Sequence, residues 1–77
     1  MSTYELAYYI YMRDTGHIID KCTQRFKYFY KDKYHYYTPD FVVDNTNIIE
    51  VKGLEREVDK VKYSTVPNLI IVKYDKI

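Results

Sequence analysis

"YTPDFVVDNTNIIEVKG" occupies residues 37–53. Two short β-branched segments, 41–43 and 48–51, flank the turn-forming run Asp44-Asn45-Thr46-Asn47, so the stretch predicts a β-hairpin. Pro39 halts or bends whatever strand precedes it, because proline has no amide to donate to a ladder. Centring the hairpin on Asn45 sets Val43 opposite Asn47, Phe41 opposite Ile49 and Asp40 opposite Glu50. Opposed side chains in such a pair have Cβ atoms about 5 Å apart. Alternation along the strand puts Glu50 and Lys52 on one face and Val51 on the other. Asp40, Glu50 and Lys52 therefore converge on one patch, beside the strongest hydrophobic runs of the chain.

Two adjacent carboxylates repel, and one is driven to protonate unless a cation intervenes. Carboxylate, carbonyl and water oxygens are the hard ligands that Mg²⁺ takes, with positions left open for substrate phosphate. A charged lysine two residues further on cannot bind metal, but it can steady an attacking water or a phosphoryl oxygen. Together these groups are equipment for metal-assisted phosphodiester hydrolysis. The ordinary alternative for Lys52 is a solvated edge-strand lysine that discourages aggregation.

Working outward, Ser2 and Glu5 have capping-box spacing and Gly16 stands where a left-handed residue ends a helix, which predicts a helix over 2–14. Leu6, Tyr9, Ile10 and Arg13 recur at helical spacing along it as an apolar stripe ending in a charge. Residues 25–30 alternate like a strand, with Phe26, Tyr28 and Tyr30 on one face. Residues 31–33 form a polar turn, and 34–38 form a second aromatic β-prone stretch. After the central hairpin, Leu54, Val58 and Val61 mark a helix over 54–63. Pro67-Asn68 breaks it, and 69–74 form a final strand. The order is helix, three or four strands, helix, strand: an α/β (α+β) domain with a central mixed β-sheet flanked by an N-terminal helix and a second short helix.

The 77 residues suffice for one domain, 1–77, whose core is small enough that a single sheet or a shared oligomeric core is expected. Twelve basic and 11 acidic side chains leave a net charge of +1, which favours neither a strongly basic nor a strongly acidic partner surface. No apolar run spans a bilayer and no signal-peptide pattern opens the chain, so a cytoplasmic protein without membrane contact is expected. A lone cysteine, Cys22, excludes an internal disulfide and a multi-cysteine zinc site. His17 and His35 read as surface or turn residues without zinc spacing. Tyrosine is unusually abundant at 11 copies. Tyr8, Tyr9, Tyr28 and Tyr30 fall at core positions, which favours packing over a base-stacking surface.

"TPDF" followed ten positions on by "IIEVKG" resembles the PD-(D/E)XK nuclease signature. Pro39-Asp40 matches its first half and Glu50-Val51-Lys52 its second. Gly53 after the lysine and the N-terminal helix bring it closest to the phage endonuclease I family of Holliday-junction resolvases, over about residues 2–54. The resemblance implies a restriction-endonuclease-like core, Mg²⁺ dependence with Mn²⁺ able to substitute, and cleavage of DNA. It implies that Asp40 and Glu50 bind metal, that the Val51 carbonyl adds a ligand and that Lys52 orients the nucleophile. Glu5 matches the family's helix glutamate at the metal site, although capping the helix accounts for it equally well. The family's members run longer at the C-terminus, in a portion that helps bind branched DNA.

On that footing Lys21, Arg25, Lys27, Lys31, Lys33, His35, Lys60 and Lys62 are candidates for DNA contacts, which would position a backbone rather than specify a sequence. A homodimer is expected, since cutting both strands calls for two centres related by a two-fold axis. Junction resolution, homing or site-specific cleavage, and non-catalytic DNA binding on the same fold are the functions to separate.

Overall fold

In the computed structural model, which describes residues 2–73, two helices and six strands form an α+β arrangement with a mixed sheet. Helix α1 (Thr3–Asp14) starts at Ser2, whose Oγ accepts the Glu5 amide at 3.2 Å, while Glu5 Oε2 accepts the Ser2 amide at 3.0 Å. It ends as its sequence indicates. The His17 amide reaches Met12 O and the Gly16 amide reaches Arg13 O, the double closure that a left-handed Gly16 (φ 89°) permits.

Strands β1 (Ile19–Lys21), β4 (Phe41–Val43), β5 (Asn47–Lys52) and β6 (Ile70–Lys73) make one four-stranded sheet in the order β1-β4-β5-β6. The β1–β4 and β4–β5 pairs are antiparallel, and β5–β6 is parallel across helix α2 (Glu57–Ser64). Phe41 faces Ile49 and Val43 faces Asn47, the register read from the hairpin. Asp44 (φ 53°) and Asn45 (φ 64°) turn the chain in the left-handed region that short polar side chains tolerate.

Strands β2 (Phe26–Tyr30) and β3 (Lys33–Tyr37) form a separate two-stranded sheet, which corrects the expectation of one sheet. Their inner face carries Phe26, Tyr28, Tyr30 and Tyr37 and packs with Tyr63 and Val66, with Val58 and Val61 of α2 and Ile48 and Ile71 of the main sheet against the same cluster. The main sheet thus lies between α1 and the layer of hairpin plus α2. On the α1 side, Tyr8, Ile19, Phe41, Val43, Ile49 and Val51 make the core. Phe41 is fully buried against Tyr8 and Tyr9, with ring centroids 6.1 and 5.9 Å away. Burial of a side chain of this size contributes about 2–3 kcal/mol.

Three sequence expectations change. The buried face of α1 is Tyr8 with the half-buried Tyr9 and Met12, whereas Leu6 and Ile10 are about half exposed. Leu54 precedes α2 and is exposed, so the helix begins three residues later than its spacing suggests. Strand β1 pairs at the edge, where a three-residue segment with one buried side chain, Ile19, carries no period to read. The expected last strand is found over Ile70–Lys73, and Tyr74 lies outside the described residues. No described helix is long and apolar enough to cross a membrane.

The β2–β3 turn places Lys31 (φ 50°) and Asp32 (φ 61°) in the left-handed region, where an ordinary side chain costs on the order of 1 kcal/mol. Replacing the pair by Asn-Gly, which suits this turn, is expected to raise unfolding stability by about 1 kcal/mol in urea titrations. An unchanged midpoint would mean that the backbone there is not strained.

Candidate active site

Asp40 is held from three sides. Its carbonyl accepts the Cys22 amide at 3.2 Å and its amide donates to Ile49 O at 3.1 Å. Its Oδ2 accepts the Val51 amide at 2.8 Å, beyond the end of the β4–β5 ladder. Proline at 39 gives no N–H, and the short side chain of Asp40 takes up a strand amide that would otherwise lack an acceptor. Val51 buries its own side chain in the α1-facing core.

Glu50 emerges on the opposite face, next to Tyr37. The Tyr37 hydroxyl donates to Glu50 Oε1 at 2.6 Å. The Tyr63 ring tilts against that of Tyr37, 5.8 Å between centroids, with its own buried hydroxyl left without a hydrogen-bond partner. Burial and the negative charge of Glu50 push the hydroxyls of Tyr37 and Tyr63 well above the usual phenol range. Tyr37 therefore stays protonated and acts as a permanent donor to Glu50.

Glu5 completes the group from the first turn of α1. Besides capping the helix, its carboxyl lies within hydrogen-bonding reach of Asp40. Capping the helix thus leaves the Glu5 carboxyl at the cavity wall. Glu5, Asp40, Glu50 and Lys52 line one open cavity of about 490 Å³. Gly53 lines it too, and a Cβ there would press to 3.2 Å from the Tyr4 ring, so the close approach of α1 depends on the missing side chain.

The electrostatics of the cavity are those of carboxylates short of countercharge. Burial, together with the Glu5 and Glu50 carboxyls, pushes Asp40 up to about 7 against the pull of the Val51 amide. Burial raises Glu50 as well, opposed by Tyr37 and Lys52. Burial also works on Glu5, but the Ser2 amide, Asp40 and the Lys21 charge hold it below its usual range. Asp40 consequently holds its proton to a higher pH than an ordinary carboxyl does.

Lys52 has a second neighbour that sequence reasoning missed. Asp59, 1% exposed, sits at the third position of α2 and clasps three cations: Lys52 Nζ at 3.3 Å, Arg56 Nε at 3.5 Å and Lys62 Nζ at 3.7 Å. Its Oδ2 also accepts the Arg56 amide at 2.8 Å, capping the helix. Burial opposes its ionisation, yet the Arg56 amide and Lys52 hold its carboxyl below the ordinary range. The only signal was an Asp at the third helical position, which reads as a capping residue, because the lysine it captures comes from another element.

The remaining sequence candidates scatter. Lys21 stands exposed on β1, near enough to lower Glu5. Lys60 projects from α2 and Lys62 is committed to Asp59. Arg25, Lys27, Lys31 and Lys33 belong to the β2–β3 region and are exposed. His35 turns inward on the hairpin: its ring stacks on Tyr28 at 5.2 Å and its Nε2 meets Tyr30 O at 3.2 Å. Asp44 binds the Ile18 amide and His17 Nδ1, tying the turn to the end of α1.

Among the described residues, no three His, Cys, Asp or Glu side chains are spaced as a preassembled metal cluster. The carboxyl oxygens gathered at the cavity are nonetheless of the donor type that a hard cation takes. No family model, characterised protein or solved structure matches this chain.

Asp59→Asn removes the charge that holds Lys52 while keeping the cap acceptor. It is expected to destabilise the fold by about 3 kcal/mol at pH 7, read by urea unfolding. Because the Asp59 carboxyl titrates lower in the folded state, its contribution is complete above the unfolded carboxylate range and vanishes as pH falls through the folded value. The difference between wild type and variant should accordingly shrink in acid below about pH 4. A gap of constant size would contradict the clasp.

Proposed function

We propose that this protein is a divalent-cation-dependent DNA endonuclease of the PD-(D/E)XK type, built on a restriction-endonuclease-like core and similar to the phage endonuclease I resolvases. One observation carries it: Asp40, Glu50 and Lys52, the residues of the motif, line one cavity together with Glu5, and Asp40 is pushed up to about 7 there.

Asp40 and Glu50 would hold Mg²⁺, with Mn²⁺ as a substitute, and the Val51 carbonyl and Glu5 are the further oxygen donors. An ion held by these residues would supply positive charge near the scissile phosphate and would acidify water beside it. Tyr37 fixes the rotamer of Glu50 by its hydroxyl bond, leaving the other carboxylate oxygen for the cavity. Asp59 anchors the Lys52 ammonium at the rim, where it can orient a water or a phosphoryl oxygen. Such fixed charges act without reorganising during the reaction. Lys21 and Arg56 extend positive charge along the approach, suited to a DNA backbone.

Two copies related by a two-fold axis would cut both strands, and a four-way junction is the substrate that the resemblance favours over a specific duplex site. The cytoplasm of a phage-infected or bacterial cell is the matching location. A second reading draws on the Lys52–Asp59 and Glu50–Tyr37 pairs, which give both motif residues a structural use. On it, the domain binds DNA without cutting.

Incubation of a four-way junction and a linear duplex of the same arms, with and without Mg²⁺, separates these. Cleavage is expected only with the cation and faster on the junction. Asp40→Ala and Lys52→Ala should each reduce it at least about 100-fold. Cleavage that survives either change excludes the assigned chemistry, and a wild-type protein that binds but never cuts establishes the second reading.

Tyr37→Phe removes the donor to Glu50. It is expected to cost about 1–2 kcal/mol of stability in urea. Since the lost bond favoured the ionised form, Glu50 should titrate higher in the variant, moving the acid limb of the cleavage profile to higher pH. An unshifted limb would show that the hydroxyl does not tune Glu50.

A further inference from the structure

The outer face of the β2–β3 hairpin has no part in the cavity or in either core. Phe29, Tyr34 and Tyr36 stand there 54%, 65% and 59% exposed. Rings of that size are normally covered in a small domain, and the inner face of the same hairpin already supplies its packing.

Cations interleave with these rings. The Arg25 guanidinium lies 4.6 Å from the Tyr36 ring centroid and Lys27 Nζ 4.2 Å from that of Tyr34. Phe29 tilts against Tyr34 at 5.0 Å. In the register, Lys27 faces Tyr36 and Phe29 faces Tyr34, so all of these side chains share the face. Neither strand contains a carboxylate, and Asp32 in the turn is the nearest acidic residue of the hairpin.

This charge pattern selects among occupants. A second copy laid on the same face would bring Arg25 and Lys27 against their equivalents with nothing to neutralise them. An anionic chain with flat, unstacked rings satisfies both components at once: phosphates take the cations and bases take the aromatic faces. Tyr34 and Tyr36, two residues apart, stand about 7 Å from each other along the strand. That is twice the base-stacking rise of about 3.4 Å, which leaves room for a base between them.

We propose that the outer face of the β2–β3 hairpin is a stacking platform for single-stranded DNA, formed by Phe29, Tyr34 and Tyr36 with Arg25 and Lys27. The platform requires neither a cation nor the cavity carboxylates. Only the choice of DNA over RNA rests on the hydrolytic reading. Strand β3 runs on through Thr38 and Pro39 to Asp40, four residues from Tyr36 and at most about 13 Å away. An unpaired strand held here would lie across the hairpin from the cavity, within reach of a branched or frayed substrate whose open arm passes around the end of β3.

Fluorescence anisotropy with a labelled oligothymidylate of about 16 nucleotides, in EDTA, tests the platform apart from catalysis. Wild type is expected to bind it more tightly than a duplex of equal length. Tyr34→Ala and Tyr36→Ala should each weaken binding about 5-fold or more, and Tyr34→Phe should retain it. Arg25→Ala with Lys27→Ala should flatten the salt dependence. Tyr34→Leu, which keeps apolar area without a ring, guards against loss through misfolding and should bind like the alanine variant. Several results would overturn the platform: alanine variants within about twofold of wild type, equal affinity for duplex, tighter binding of an oligouridylate, binding of anionic vesicles alone, or ring-dependent self-association. Cleavage without ring-dependent binding would sink only the platform, and ring-dependent binding without cleavage would sink only the nuclease.

Discussion

The bond from the Val51 amide to the Asp40 carboxylate is the constraint on which the site depends. It fastens the end of β4 to β5 where proline has ended the ladder, and so fixes a charged side chain at the mouth of a hairpin whose other side chains are core. Once Asp40 is pinned there, register places Glu50 nearby and the close approach of α1 over Gly53 delivers Glu5. The fold thereby buries Asp40 beside other carboxyls, and its raised affinity for a proton is the consequence. A domain this small has little stability to spare, so the burial of crowded carboxyls at one end of its sheet is the feature on which the proposed cation site rests.

Asp59 organises the positive side in a complementary way. Three cations from three places in the sequence meet one buried carboxylate, and Lys52 is thereby turned between the cavity and α2. A lysine on a strand end would otherwise sample many rotamers. Held by Asp59, it presents a nearly fixed charge at the cavity rim, which is what positioning a phosphate or water requires. The same clasp couples α2 to β5, so the parallel strand β6 and the cavity share one mechanical support.

Much of this was legible in residues 37–53. The alternation of apolar and charged side chains and the Asp-Asn turn were enough to set the β4–β5 register and the shared face of Glu50 and Lys52. The Ser2–Glu5 box and Gly16 likewise marked both ends of α1. What could not be read was non-local. Strand β1 exists because β4 offers it an edge, and its own three residues carry no pattern. The β2–β3 pair has the alternation of a sheet strand, but nothing in it says that the pair stands as its own two-stranded sheet, packed on α2 and the face of the main sheet, instead of joining the main ladder. The buried side of α1 was misassigned because its tyrosines are apolar on every face, so position alone could not choose Tyr8 over Leu6. Asp59 was invisible as a partner of Lys52 because the contact joins α2 to β5 and no spacing in the sequence encodes it.

The measurement that bears most directly on the carboxylate cavity is paramagnetic broadening by substoichiometric Mn²⁺ in amide-resolved NMR spectra of the free protein. The ion is expected to broaden Glu5, Asp40, Glu50, Val51 and Lys52 first, to leave the outer hairpin residues Phe29 and Tyr34 sharp, and to lose the preferential broadening of the cavity residues in Asp40→Ala. Broadening that is absent, or centred on exposed carboxylates such as Asp14, Asp20 or Glu57, would contradict the cavity as a cation site.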